Sequence, residues 1–207
     1  MFFCLLCYNE VGDSMKKIVL ASNNKHKISE VKQIFNDVEI LTLNDIEYYD
    51  EIEETGETFL ENALIKAKTI SEYLKEKGLD YAVLADDSGL CCEGIDLAPG
   101  VYSARYAGSH GDSQANRNKL INELKDKSKR AYFICTMVLY KNDGTYVYKE
   151  GKTYGNIIDE ERGNTDFGYD CIFLSDDLNV TFGEAANEDK NKVSHRFRAL
   201  EQLKSEI

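Results

Sequence analysis

The run Tyr81-Ala82-Val83-Leu84-Ala85 stops at two adjacent carboxylates, Asp86 and Asp87, and then at Ser88-Gly89. A short apolar run ending this way is how a buried strand delivers acidic groups to the carboxyl edge of an α/β sheet, where such folds bind ligands. Neighbouring side chains on an extended chain point to opposite faces. Asp86 and Asp87 are therefore expected to do different work, one facing a cleft and the other bracing the turn. Two acids at a strand end suit a hard cation such as magnesium and an activated water. The same residues also fit a plain strand followed by an Asp-Ser-Gly turn, and this run alone leaves both readings open.

The rest of the chain supplies the layers around that strand. Ile18 to Ala21 predicts another short buried strand, followed by a polar loop, Ser22 to Lys27. Ile28, Val31, Ile34 and Phe35 then keep helical spacing. Strand, polar turn and helix aim backbone N–H groups at an anion. Val38 to Leu43 can form a strand, and an acidic loop with Asp50, Glu51, Glu53, Glu54 and Glu57 follows. Thr58-x-x-Glu61 predicts a capping box. It starts a helix with Phe59, Leu60, Ala63, Leu64, Ala67, Ile70 and Leu74 on one stripe and Gly78 at its end.

Arg117 to Leu124 carries a short helical pattern. Ala131 to Tyr140 and Thr145 to Lys149 flank Asn142-Asp143-Gly144, a hairpin signal, and Lys152 to Ile158 extends that meander. Gly163 to Asp170 is a glycine-containing loop and Cys171 to Leu174 a short strand. Ser194 is placed to cap a final helix with Val193, Phe197, Leu200 and Leu203 on its buried side. Such a mixture of βαβ units with an antiparallel meander implies an α/β fold, a mixed β-sheet flanked by helices.

A chain of 207 residues suffices for one well-cored domain or two lobes sharing a cleft. Its net charge of −12 argues against a non-specific nucleic-acid binder, which needs a basic face. A small anion remains open to it where a few basic residues converge. Among Cys4, Cys7, Cys91, Cys92, Cys135 and Cys171 only the first two have C-x-x-C spacing, so a reducing, cytoplasmic setting is expected rather than a disulfide framework. Phe2 to Tyr8 is apolar but short of the ~20 residues that span a bilayer, and it lacks the features of a signal peptide. Residues 1–14 are therefore taken as an N-terminal extension compatible with disorder, and 15–207 as a single domain starting at Met15-Lys16-Lys17.

Several further residues can carry chemistry. In Ser22-Asn23-Asn24-Lys25-His26-Lys27, Asn24 and Lys27 suit phosphate oxygens, although the glycines of a Walker loop are missing. Lys66 lies at the edge of the apolar stripe, where a lysine either reaches for water or faces a ligand. The acidic run is either a solvated loop or the source of a second carboxylate beside Asp87, with Glu54 the choice and Glu53 the alternative. Phe167-Gly168-Tyr169-Asp170 joins an aromatic that can stack on a base to a backbone that can approach it closely. Lys190, His195 and Arg196 gather around a helix start, an arrangement suited to an anion or a heteroaromatic ring.

Taken in order, these motifs resemble the inosine triphosphate pyrophosphatase family. The matching segments are Ala21 to Lys27, Glu54 to Ala67, Ala85 to Leu90, Ala98 to Gly108, Phe167 to Asp170, and Lys190 with Ser194-His195-Arg196. The resemblance implies an elongated two-lobed fold around a deep nucleotide-binding cleft and a homodimer. It also implies magnesium-dependent hydrolysis of ITP, dITP and XTP to the monophosphate and pyrophosphate; that no nucleic-acid or membrane partner is expected comes instead from the charge and the short apolar run. Asp87 matches the general base and a metal ligand, and Glu54 a second ligand. The phosphate-side positions are the Ser22 to Lys27 loop, chiefly Asn24 and Lys27, together with Lys66. Ser88, Phe167, Gly168, Tyr169, Asp170, Lys190, His195 and Arg196 match substrate-binding positions. Three departures stand out: Cys171 where the family has proline, Ile95-Asp96-Leu97 where it has a glycine pair, and the extension.

Overall fold

The computed structural model describes residues 16–35, 38–108 and 111–207. The N-terminal extension and Cys4 and Cys7 lie outside them. Six strands form one sheet: β1 (Lys16–Leu20), β2 (Val38–Leu41), β3 (Ala82–Cys92), β4 (Arg130–Tyr140), β5 (Tyr146–Ile157) and β6 (Phe173–Ser175), in the order β2-β1-β3-β4-β5-β6. Around them lie α1 (Lys25–Ile34), α2 (Phe59–Glu76), α3 (Ser113–Glu123), α4 (Asn187–Val193) and α5 (His195–Leu203). β1 pairs in parallel with β2 and β3, and all later pairings are antiparallel.

Local signals place the helices. Asn24 caps α1, its side chain accepting from the amides of His26 and Lys27. Thr58 and Glu61 form the reciprocal capping box of α2, and the Ser194 hydroxyl accepts from the Phe197 amide at the start of α5. The 141–145 turn closes the β4–β5 hairpin, with the Lys141 amide 2.8 Å from the Thr145 carbonyl.

The apolar residues form three clusters. One lies between the sheet and α1 and α5, with Leu20, Val31, Leu84, Met137 and Leu200. The opposite face packs on α2 through Val19, Ala63, Ala67, Ile70, Val83 and Val138. The third fills the far end of β3 and β4 beneath α3, with Leu90, Leu120, Phe133, Ile172 and Phe173.

Four elements differ from expectation. The strand expected to stop at Ala85 continues to Cys92, so the two acids are within β3 rather than at its end. Parallel pairing with β1 does finish at Leu20–Leu84, but β4 pairs with β3 residue by residue to Cys92–Ala131 and keeps it extended. The segments expected at 145–149 and 152–158 are one strand, β5. Asp170–Ile172 is a 3-10 turn ahead of β6, and α4, a polar helix without an apolar stripe to mark it, was not expected.

Candidate active site

Because β1 stops where β3 runs on, a cleft of about 880 Å³ opens beside the middle of β3. Ser22, Asn23, Asn24 and Lys27 line it from the turn into α1, and Glu54 and Lys66 from the acidic loop and α2. Asp87 and Ser88 come from β3, Phe167 to Asp170 from the loop before β6, and His195 and Arg196 from the start of α5. Lys25, His26 and Lys190 are outside this lining. Lys25 is exposed. His26 packs its ring on Phe167, centroids 4.9 Å apart. Lys190 pairs with Asp170 and holds its ammonium 5.2 Å from the centre of the Phe167 ring.

The alternation of β3 separates the two acids. Asp86 shares the α1/α5 face with Leu84, and Asp87 shares the α2 face with Ala85. Asp86 is buried, with Lys27 Nζ at 2.8 Å, Arg196 Nε at 3.6 Å and the Ser88 hydroxyl donating to it at 2.8 Å. Burial alone would raise its pKa, but Lys27, Arg196 and Lys66 outweigh that and hold the carboxyl well below the usual range. Asp86 is therefore a fixed counter-ion. Arg196 is compensated on its other side by the buried Glu30, Nη1 to Oε2 at 2.5 Å.

Asp87 behaves in the opposite way. Asn62 Nδ2 donates to Oδ2 at 3.0 Å and the Ser88 amide to Oδ1 at 2.9 Å. Burial raises its pKa and the charge of Glu54 raises it further, with Lys66 only partly offsetting them. Lys66 Nζ is 2.7 Å from Glu54 Oε1. Burial works against the charge of Lys66, yet Asp86, Asp87 and Glu54 more than restore it and raise its pKa. No group of three or more His, Cys, Asp or Glu among the described residues is placed to hold an ion by itself. Glu54 and Asp87 both line the cleft, and two carboxylates there fit magnesium, which takes one or two protein carboxylates and completes its shell with phosphate and water oxygens.

On the opposite wall the His195 imidazole stacks on Phe133, centroids 5.1 Å apart and 16° from parallel. It is buried, and burial followed by the charges of Arg196 and Lys190 drives its pKa well below the ordinary 6.5, so the ring is neutral. Its Nδ1 has no hydrogen-bond partner among the described residues. Two residues of this arrangement were not anticipated. Asn62 is a polar side chain one helical turn before Lys66, fully buried, and that break in the stripe was the available signal. Glu30 sits beside Val31 on α1, and nothing in its sequence context marks it.

The sequence model of the Ham1 family matches residues 18–206. The chain belongs to the Ham1 family. It is 46% identical over 199 residues to the dITP/XTP pyrophosphatase of Clostridium perfringens, covering 93% of this chain and 98% of that protein. The dITP/XTP pyrophosphatase of Campylobacter jejuni subsp. jejuni is 41% identical over 192 residues, 91% of this chain and 95% of its own length. Among solved structures, the Staphylococcus aureus Ham1 protein superposes with a TM-score of 0.80 at 38% identity, covering 92% of this chain and 97% of that one. A HAM1 protein from Coxiella burnetii gives 0.81 at 36% identity, with 92% and 98% covered. The Ham1 fold therefore extends over nearly all of the described residues. Among them, no helix is long and apolar enough to cross a membrane.

Proposed function

We propose that this protein hydrolyses deaminated purine nucleoside triphosphates, ITP, dITP and XTP, to the monophosphate and pyrophosphate. The division of labour between Asp86 and Asp87 carries this reading: one acid is neutralised as a structural counter-ion, and its neighbour faces the cleft with a raised pKa. Names of the Ham1 relatives support the substrate class.

In this reading Lys27 and Lys66 neutralise phosphate charge, each pre-positioned by a carboxylate. Asn24 is committed through Oδ1 to capping α1, which leaves its amide nitrogen for a phosphate oxygen. Glu54 and Asp87 would hold magnesium, which when bound adds positive charge at the triphosphate. Asp87 orients a water and accepts its proton as the water oxygen bonds to the α-phosphorus. The bond from that phosphorus to the β-phosphate oxygen breaks, and pyrophosphate leaves.

The base occupies the wall formed by Phe167 to Asp170 and His195. Phe167 stacks on it, and the neutral His195 imidazole donates a ring N–H to the 6-oxo group that hypoxanthine and xanthine have and adenine lacks. A buried group left unpaired by the wrong base is a strong discriminator. A reducing, cytoplasmic setting belongs to the same proposal, supported by Cys91, Cys92, Cys135 and Cys171 being buried free thiols, as does the homodimer implied by the family. Sedimentation of the purified protein tests the latter.

The direct test is pyrophosphate release from ITP, XTP, GTP and ATP, with magnesium and with EDTA. Release from ITP and XTP alone, abolished by EDTA, is expected. Equal rates on all four would remove the selectivity, and tight ITP binding without release would make the protein a nucleotide sensor.

A further inference from the structure

Arg117 is a buried cation that the reaction does not use. It stands early in α3, 2% exposed, with all three guanidinium nitrogens engaged. Nε donates to Glu161 Oε1 at 2.7 Å and Nη2 to Gln114 Oε1 at 3.0 Å. Nη1 donates to two backbone carbonyls, Gly168 at 2.8 Å and Thr165 at 3.3 Å. Those carbonyls bracket Phe167. Gly168 has φ of +48°, a left-handed state that favours glycine, so this loop is held in a conformation few residues adopt.

The frame extends to the facing segment. Asn116, the preceding residue of α3, accepts from the Ala107 amide at 2.6 Å and donates to the Ala104 carbonyl at 3.2 Å. Tyr169 closes the frame, its hydroxyl donating to the Ser103 carbonyl at 2.8 Å. Two consecutive residues of one helix thus hold two walls of the cleft. An exposed arginine–carboxylate pair contributes little. Here the guanidinium is buried while Glu161 is exposed, so the weight falls on the other acceptors: two are main-chain groups of an irregular loop, where a planar, multi-donor cation fixes geometry that lysine cannot.

We propose that Arg117 is a positioning residue for nucleobase recognition: it holds the Phe167 wall through the Thr165 and Gly168 carbonyls and so sets ligand affinity, leaving the phosphoryl chemistry to the opposite wall. The proposal rests on the purine-nucleotide reading given above. Its first readout needs no turnover: IMP binding by calorimetry and amide exchange across residues 164–170, for the wild type, Arg117→Met and Arg117→Lys.

In Arg117→Met the IMP Kd rises about tenfold, the scale of losing charge-assisted hydrogen bonds, and the loop amides exchange faster. The KM for ITP rises with it, while kcat stays within about twofold. Arg117→Lys, which reaches one carbonyl at a time and keeps a cation beside Glu161, restores part of the affinity and carries the test if the methionine variant does not fold. Unchanged exchange, unchanged IMP affinity, or a loss confined to kcat overturns the proposal. A wild-type protein that binds IMP but releases no pyrophosphate refutes hydrolysis and leaves the Arg117 comparison standing. One that binds no IMP overturns the Arg117 proposal, and pyrophosphate release from ITP decides hydrolysis separately.

Discussion

Arg196 Nη1 lies 2.5 Å from Glu30 Oε2, joining α5 to α1 through a buried ion pair that also faces Asp86. Removing the cation strands two buried carboxylates. Arg196→Met is expected to cost about 3–5 kcal/mol, the usual penalty for breaking a buried pair. Glu30→Gln keeps an acceptor and costs less. Urea unfolding of the two variants and their double mutant measures the coupling, and additive losses would show that the pair is not a unit.

Asp87→Asn should fold normally and lose turnover by about 10³-fold, within the range of a general base. Asp86→Asn should show the reverse emphasis. Lys27, Ser88 and Arg196 all lean on that carboxylate, so its loss lowers stability before chemistry is considered. Pyrophosphate release and thermal melting, run on both variants, separate the two roles. Near-normal hydrolysis by Asp87→Asn would refute the base assignment.

Gly151 lies where β5 passes under the start of α5. A Cβ there would collide with the His195 carbonyl and come within 2.5 Å of the Ala199 nitrogen and 2.9 Å of Arg198 Cβ. Gly151→Ala therefore has to push the helix away and take His195 and Arg196 with it. A loss of about 1–3 kcal/mol is expected, together with weaker nucleotide binding. Unchanged melting and unchanged binding would mean that the helix has slack the packing does not show.

His195 makes stability depend on pH. Its folded pKa is depressed by burial and by Arg196 and Lys190, with Lys27 adding to them and Asp86 opposing them. Between that value and the unfolded value of about 6.5 the unfolded chain binds the proton and the folded one does not. Stability is therefore complete above about pH 6.5 and falls below it by about 1.4 kcal/mol per unit from this group. His195→Gln should flatten the stability profile between about pH 5 and 6.5. An unaltered slope would show that the imidazole is protonated in the folded state.

Much of this was legible from residue patterns, because local chemistry decides it. The Thr58–Glu61 box, the Ser194 cap and the 142–144 turn each act within a few residues and formed as expected. The opposite orientation of Asp86 and Asp87 followed from strand geometry alone. What escaped depends on partners distant in sequence. β3 extends past Ala85 only because β4 pairs with it there. Glu30 acquires its meaning from Arg196, and Arg117 from a loop about fifty residues away. Lys190, too, takes its neighbours from afar in sequence, pairing with Asp170 and lying over the Phe167 ring.

β3 and β4 run unbroken from the two clusters under α1, α2 and α5 to the cluster under α3, and the cleft lies alongside their middle. The two ends of the molecule are therefore joined by a hydrogen-bonded ribbon rather than by a swivel. Prising the cleft wider means bending that ribbon against its ladder, a deflection that stores energy and springs back. Such a frame gives anything held in the cleft a fixed gauge, and adjustment to its shape falls to the loops mounted on it.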